Sequence, residues 1–182
     1  MKLRKAGGGE LGRVVEFYER VIEGTVDIEK HAQWMKGKHP TEEGLRAFIA
    51  EGSLYVCENE EGRILGAMAL CMYQGEEYHA VEWKRKLADG EVATLHTLGV
   101  SPECQGEGIG TEMIREAIRV AYAAGKKSLR LDVLKSNGPA QRLYERLGFV
   151  FRGCQNLYAE NTGWTDFYFY EYEGGFPRAR DL

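Results

Sequence analysis

Apolar residues recur along this chain with two different periods, and the switches between them mark the elements. From residue 10 to 22, Leu11, Val14, Val15, Tyr18 and Ile22 fall at helical spacing, which predicts an amphipathic helix that stops at Gly24. Residues 25–40 have weak periodicity and hold His31, Trp34, Met35 and His39. Thr41, with Pro40 before it, predicts the cap of a second helix ending near Gly52. Residues 3–5 read as a short edge strand, and 54–57 and 64–73 as two strands joined by the turn Asn59-Glu60-Glu61-Gly62. Residues 74–90 are polar apart from a few residues such as Tyr78 and Trp83, and read as an excursion before the next strand, 92–100, which Pro102 ends.

The second half alternates more regularly. A helix over 109–124 carries Ile109, Met113, Ala117, Val120, Ala121 and Ala124 on one stripe, and Gly125 stops it. Residues 128–134 alternate as a strand, 139–147 form a short helix ended by Gly148, and 149–152 and 165–172 pair as the last hairpin across 161–163. Helices alternate with strands only here. That order predicts an α/β (α+β) fold, one mixed sheet with helices on both faces.

Composition narrows the classes. A chain of 182 residues suits one domain spanning 1–182, burying roughly 70% of its unfolded surface. The net charge of -4 and the lack of a long basic block argue against a nucleic-acid partner. Lys84-Arg85-Lys86 lies between Glu82 and Asp89 and reads as solvated surface. Four cysteines, at 57, 71, 104 and 154, show no C-x-x-C spacing, which suggests reduced thiols in a cytoplasmic protein. The histidines at 31, 39, 79 and 96 stand at no ligand spacing, so no metal is expected. The basic N-terminus has no apolar run behind it, and no apolar run reaches a membrane span, so neither a signal peptide nor a membrane partner is expected.

The chemistry concentrates at Gln105-Gly106-Glu107-Gly108-Ile109-Gly110, between a strand and a helix start. Glycines let a backbone approach a ligand closely. The free N–H groups and dipole of a helix N-terminus favour an anion such as a phosphate. A dinucleotide fingerprint fits poorly: Thr111 stands where its third glycine belongs, although Asp132 imitates its ribose acid. The phosphate loop of nucleotide triphosphatases fits no better, because no Gly-Lys-Ser/Thr follows.

A different likeness covers residues 92–152. The glycine segment resembles the pyrophosphate motif of the GNAT superfamily of acyl-CoA-dependent N-acetyltransferases, Arg/Gln-x-x-Gly-x-Gly/Ala. Asn137-Gly138-Pro139-Ala140-Gln141-Arg142-Leu143-Tyr144-Glu145-Arg146-Leu147-Gly148-Phe149 is similar to that family's second motif. The two stand in the family's order, with a helix and a strand between. The resemblance implies a mostly antiparallel central sheet with one splayed parallel strand pair. It implies acetyl-CoA as acyl donor, with its pyrophosphate on the backbone of Gln105, Gly106, Glu107, Gly108, Ile109, Gly110 and Thr111. Its pantetheine arm would lie along Leu98 and Val100, with Asn137, Ala140 and Tyr144 of the second motif beside it. Gln105 replaces the arginine often found there, so neutral donors and the helix dipole would carry the phosphates.

The same resemblance makes Tyr144 the proton donor to the leaving thiolate, against the alternative of a plain core aromatic. Strand alternation puts His96, Leu98 and Val100 on one face. His96 would then point to the acceptor pocket as base, or be a hydrogen-bonded core histidine. Glu91 is a weaker base candidate, and nothing activates Cys104. The acceptor pocket would draw on Trp34, His39, Tyr73, Tyr158, Trp164 and Phe167, with Glu76, Glu77 and Glu160 as attractors of a cation. The expected activity is acetyl transfer to a small-molecule amine or a peptide N-terminus. The alternative is a catalytically silent acyl-CoA-binding sensor or regulatory module. An open sheet edge near the C-terminus would allow a homodimer.

Overall fold

A computed structural model describes residues 2–175. Seven strands form one sheet in the order β1-β2-β3-β4-β5-β7-β6. They are β1 (Lys2–Lys5), β2 (Leu54–Glu58), β3 (Ile64–Cys71), β4 (Val92–Val100), β5 (Ser128–Leu134), β6 (Phe149–Ala159) and β7 (Gly163–Tyr172). Every pairing is antiparallel except β4 with β5. The helices are α1 (Leu11–Gly24), α2 (Ile28–Ala32), α3 (Glu42–Glu51), α4 (Ile109–Ala123) and α5 (Gly138–Arg146).

The fold class is as expected, and several elements differ in detail. The weakly periodic stretch contains the short helix α2, whose flanking residues Asp27 and Gln33 both take left-handed conformations. Strand β6 runs to Ala159 rather than ending near 152, paired with β7 down to the turn. Its side chains beyond the first are exposed or half-buried, so no apolar alternation announced it. On α4, Ile114 and Ile118 join Met113, Ala117 and Ala121 in the core while Ala124 is exposed.

Two cores sandwich the sheet. On one side α4 and α5 pack Met113, Ile114, Ala117 and Tyr144 against Met68, Leu70, Leu95, Leu129, Leu131 and Val133. On the other, α1 and α3 pack Val14, Phe17, Tyr18, Leu45 and Ile49 against Leu54, Val56, Ala67 and Ala69. Thr41 caps α3 as predicted, its Oγ1 accepting from the Gly44 N–H at 3.0 Å.

The polar excursion before β4 folds back onto the sheet. Tyr78 and Phe169 are fully buried and meet edge-to-face at 5.2 Å. Trp83 donates its indole N–H to the Tyr78 carbonyl at 2.7 Å and lies 4.0 Å from the Arg130 guanidinium. Arg130, itself fully buried, is neutralised by Glu171 at 3.0 Å and donates to Gln74 Oε1 at 2.6 Å and the Arg85 carbonyl at 2.8 Å. Lys84, Arg85 and Lys86 face solvent as expected.

Candidate active site

The sheet opens in its middle. The parallel ladder between β4 and β5 runs from Val92↔Ser128 to Leu95↔Leu131 and ends there. The cause is one extra residue in β4. Ala69 pairs with His96 and Ala67 with Gly99, so three steps on β4 answer two on β3. Thr97 takes φ 51°, and its carbonyl accepts the Tyr18 hydroxyl at 2.7 Å. A bulge of this kind bends the strand and adds twist.

The bulge overturns one reading from strand alternation. His96, Leu98 and Val100 do not share a face. Leu98 packs on the α4 side, and Val100 lies 3.4 Å from where a Cβ on Gly110 would stand. His96 is on the opposite face, stacked on Phe48 at 6.5 Å and edge-on to Tyr78 at 6.4 Å. The inserted residue resets the period of two, so everything beyond Thr97 swaps sides.

On the α4 side lies the glycine loop. Gly106 and Gly108 have φ values of 87° and 85°, a region that side chains with a Cβ avoid. A Cβ on either would meet no atom within 4 Å, so both face open space. Among the described residues, no backbone acceptor takes the N–H of Gly106, Gly108, Ile109, Gly110 or Thr111. The Gln105 side chain turns away from the loop, donating to Thr25 Oγ1 at 2.7 Å and the Val100 carbonyl at 3.3 Å. It braces the loop against the end of α1. Glu107 is exposed. These donors and this open approach fit the pyrophosphate of a CoA molecule.

The second motif sits beside the loop. Asn137 caps α5, its Oδ1 accepting from the Ala140 N–H at 3.2 Å. Leu143 lies 3.6 Å from a Cβ built on Gly110, so the middle of α5 packs beside the start of α4. Tyr144 is buried within the same core as Leu95 and Leu131, the residues at which the ladder ends. Burial, aided by the Asp132 charge, pushes its phenol pKa up, so it keeps its proton throughout the neutral range.

On the opposite face stands a cluster that alternation alone did not reveal. Asp132 Oδ1 accepts from the Tyr78 hydroxyl at 2.6 Å and lies 3.4 Å from His96 Nδ1. The other ring nitrogen, Nε2, is 3.0 Å from Thr94 Oγ1, and that hydroxyl donates to the Tyr73 carbonyl at 2.8 Å. Burial raises the Asp132 pKa, but the His96 and Tyr78 contacts outweigh it and the net shift is downward. Asp132 is therefore ionised. The signal for it was there: a carboxylate on a central strand whose alternate residues Leu129, Leu131 and Val133 are all core.

The other candidates scatter. Trp34 packs edge-on to Tyr18 at 5.7 Å and lies 6.2 Å from His39, whose pKa burial lowers. Phe167 packs against Tyr78, Val81 and Phe169. Tyr158 and Trp164 pair with each other on the exposed end of the last hairpin at 5.9 Å. Glu76, Glu77 and Glu160 are exposed. Glu91 is occupied by Lys127 and the Ala88 N–H. Cys104 is a free, half-buried thiol. An open cavity of about 710 Å³ is lined by Thr25, Asp27, Ile28, Glu29, Lys30, Gln33 and Met35. It adjoins the loop through Thr25, the partner of Gln105. Among the described residues no group of three or more His, Cys, Asp or Glu could hold a metal ion, and no helix is long and apolar enough to cross a membrane.

Comparison with known proteins agrees with this geometry. Residues 17–149 match the acetyltransferase (GNAT) family. Thialysine N-epsilon-acetyltransferase of Bos taurus is 33% identical over 174 residues, 92% of this chain and 91% of that protein. Streptothricin acetyltransferase of Streptomyces lavendulae is 29% identical over 121 residues, 66% of this chain. The chain spans 57% of the latter's length, and 39% and 29% of two further curated acetyltransferases. An acetyltransferase of Salmonella typhimurium solved with its cofactor acetyl-CoA superposes with a TM-score of 0.66 at 18% identity, covering 98% of each chain. The loop, the splayed strands and the match over most of its length all lead to one assignment: the chain belongs to the GNAT acetyltransferase family.

Proposed function

We propose that the protein transfers an acetyl group from acetyl-CoA to a primary amine by direct attack in a ternary complex. The observation that carries this is the gap beyond Leu95 and Leu131, with Tyr144 on one side of the sheet and His96 with Asp132 on the other. The loop N–H groups of Gly106, Gly108, Ile109, Gly110 and Thr111 would hold the pyrophosphate. Leu98 and Val100, on that same α4 side, would lie along the pantetheine arm, with Asn137 and Ala140 shaping the start of α5 beside it.

Bound there, acetyl-CoA supplies the thioester carbonyl that accepts the amine. As the new C–N bond forms and the C–S bond breaks, one proton leaves the amine and one is needed at sulfur. His96 takes the first. Tyr144, held protonated by burial, gives the second. The amine enters from the α1 side and the thiol departs on the α4 side, so the two proton transfers do not compete for one space. Relatives named for streptothricin and for the ε-nitrogen of thialysine support a small-molecule amine over a peptide N-terminus as acceptor.

The test is release of free thiol from acetyl-CoA across a panel of small amines and peptide N-termini. Release with amines supports the reading. Tight acetyl-CoA binding with no release from any member would instead mark a binding module without turnover.

A further inference from the structure

The two edges of the sheet are built differently. β1 has four residues, three of them Lys2, Arg4 and Lys5, and shortness and charge keep a second chain from adding to it. β6, at the other edge, has eleven residues, and among the described residues no strand lies beyond it. Its ladder with β7 is irregular between Phe151 and Gly153, where Arg152 turns onto Glu171 and Glu173. Past that point the strand reads Gly153-Cys154-Gln155-Asn156-Leu157-Tyr158-Ala159, with no charge and no proline. It carries none of the side chains that keep an open edge single. A copy of this stretch running antiparallel to it meets no like charge across the pair.

The face beside this edge is apolar and open. Six large apolar side chains are exposed among the described residues, and Val150, Phe151, Tyr158 and Trp164 of the last hairpin are four of them. Cys154 stands opposite Tyr168 and Tyr158 opposite Trp164, and residues opposite each other share a face. Phe151 joins that face, its ring 5.0 Å from Tyr168. A full aromatic side chain covers roughly 200 Å². With 47% of Phe151, 61% of Tyr158 and 71% of Trp164 exposed, about 350 Å² of ring surface stands open on each copy. Two copies bring about 700 Å² together, and covering the strand edge between them reaches the roughly 1,200 Å² at which stable interfaces begin. We propose that two copies of this chain pair along β6, antiparallel about a two-fold axis normal to the sheet. That axis keeps the aromatic face of both copies on one side, so the two sets of rings meet across the seam.

Sedimentation equilibrium of the full-length protein is expected to give twice the chain mass of 20.6 kDa. Tyr158→Glu combined with Trp164→Glu puts charge where the rings would be covered. Self-association of that variant is expected to weaken at least about thirtyfold, the loss of a single interface hot spot. Val26→Glu alters an equally exposed apolar residue away from the hairpin and is expected to leave the dimer intact. A flexible bismaleimide is expected to join two wild-type chains through the exposed Cys154, and Cys154→Ser to abolish the link. That link is read on wild type, so it decides the surface even if the double variant misfolds. A monomer at every concentration would overturn the pairing. So would a double variant as tight as wild type, an equal loss in V26E, or a dimer that cannot be linked through Cys154.

Discussion

Tyr144 and His96 are both aromatic residues near the gap, and their surroundings separate their tasks. Tyr144 lies among Leu95, Leu131 and Phe149 in an apolar core that favours the neutral phenol. His96 is half-exposed and lined by polar groups. Tyr144→Phe removes only the hydroxyl from a site of unchanged shape. We expect turnover to fall by about 10² to 10⁴ while acetyl-CoA affinity changes little, measured by thiol release alongside calorimetric titration. Equal turnover would remove Tyr144 from the mechanism. At this scale the sequence was legible for position, as with Asn137 capping α5 and Tyr144 lying on it. It was misleading at His96, because one extra backbone residue at Thr97 leaves no trace in a pattern of apolar and polar letters. Asp132 was passed over because its two partners, Tyr78 and His96, are distant in sequence and meet it only in the folded chain.

Among the elements, helices with a strong apolar stripe and the buried strands could be read directly. Strand β5 came out residue for residue, and α1 and α4 within two residues of their ends. The outer half of the last hairpin and the helix α2 could not, since neither buries a continuous apolar face. The loop before α4 makes the sharpest demand on backbone geometry. Gly108→Ala places a Cβ at φ 85°, costing about 1–2 kcal/mol. Relief of that strain would turn the N–H groups away from their common focus. Weaker acetyl-CoA binding is expected, with a modest loss in melting temperature. At the sheet's far edge, β1 is tied down by charge. Arg4 holds Glu10 and Glu58, both at 2.8 Å, and Arg13 joins them. The hydrogen bond from Arg4 is the main reason the Glu10 pKa drops from 4.5 to about 2. A lowered folded pKa means stability that is present above 4.5 and lost as pH falls toward 2. Acid titration of the unfolding free energy should show that loss, and Glu10→Gln should flatten it.

Seen whole, the molecule is a sheet split in the middle and held together on both sides of the split. The excursion between β3 and β4 is the largest departure from a plain alternation of strands, and its polar composition gave no sign of how it is held. It is anchored instead by one buried cation. Arg130 ties Gln74 and Arg85 of the excursion to Glu171 of β7, under the ring of Trp83. The excursion in turn delivers Tyr78 to Asp132. Arg130→Met leaves Glu171 buried with Ser128 and Arg152 as its remaining partners. Removing one member of such a pair costs about 3–5 kcal/mol, or a drop of about 10 °C in melting temperature for a chain of this size. Thermal unfolding should show it, and the double variant with Glu171→Leu should recover much of the loss.

The bulge at Thr97 has a consequence for how this stretch of chain can change over time. The interval from Leu95 to Gly108 fixes which side of the sheet each residue serves and where the first amide of α4 falls. Substitution within it alters one side chain. Deleting a single residue would move Leu98 and Val100 to the wrong side and draw the glycine turn back by a step. In this segment, residue count is under stricter constraint than residue identity. Variants of this chain should differ here in spelling and agree in length.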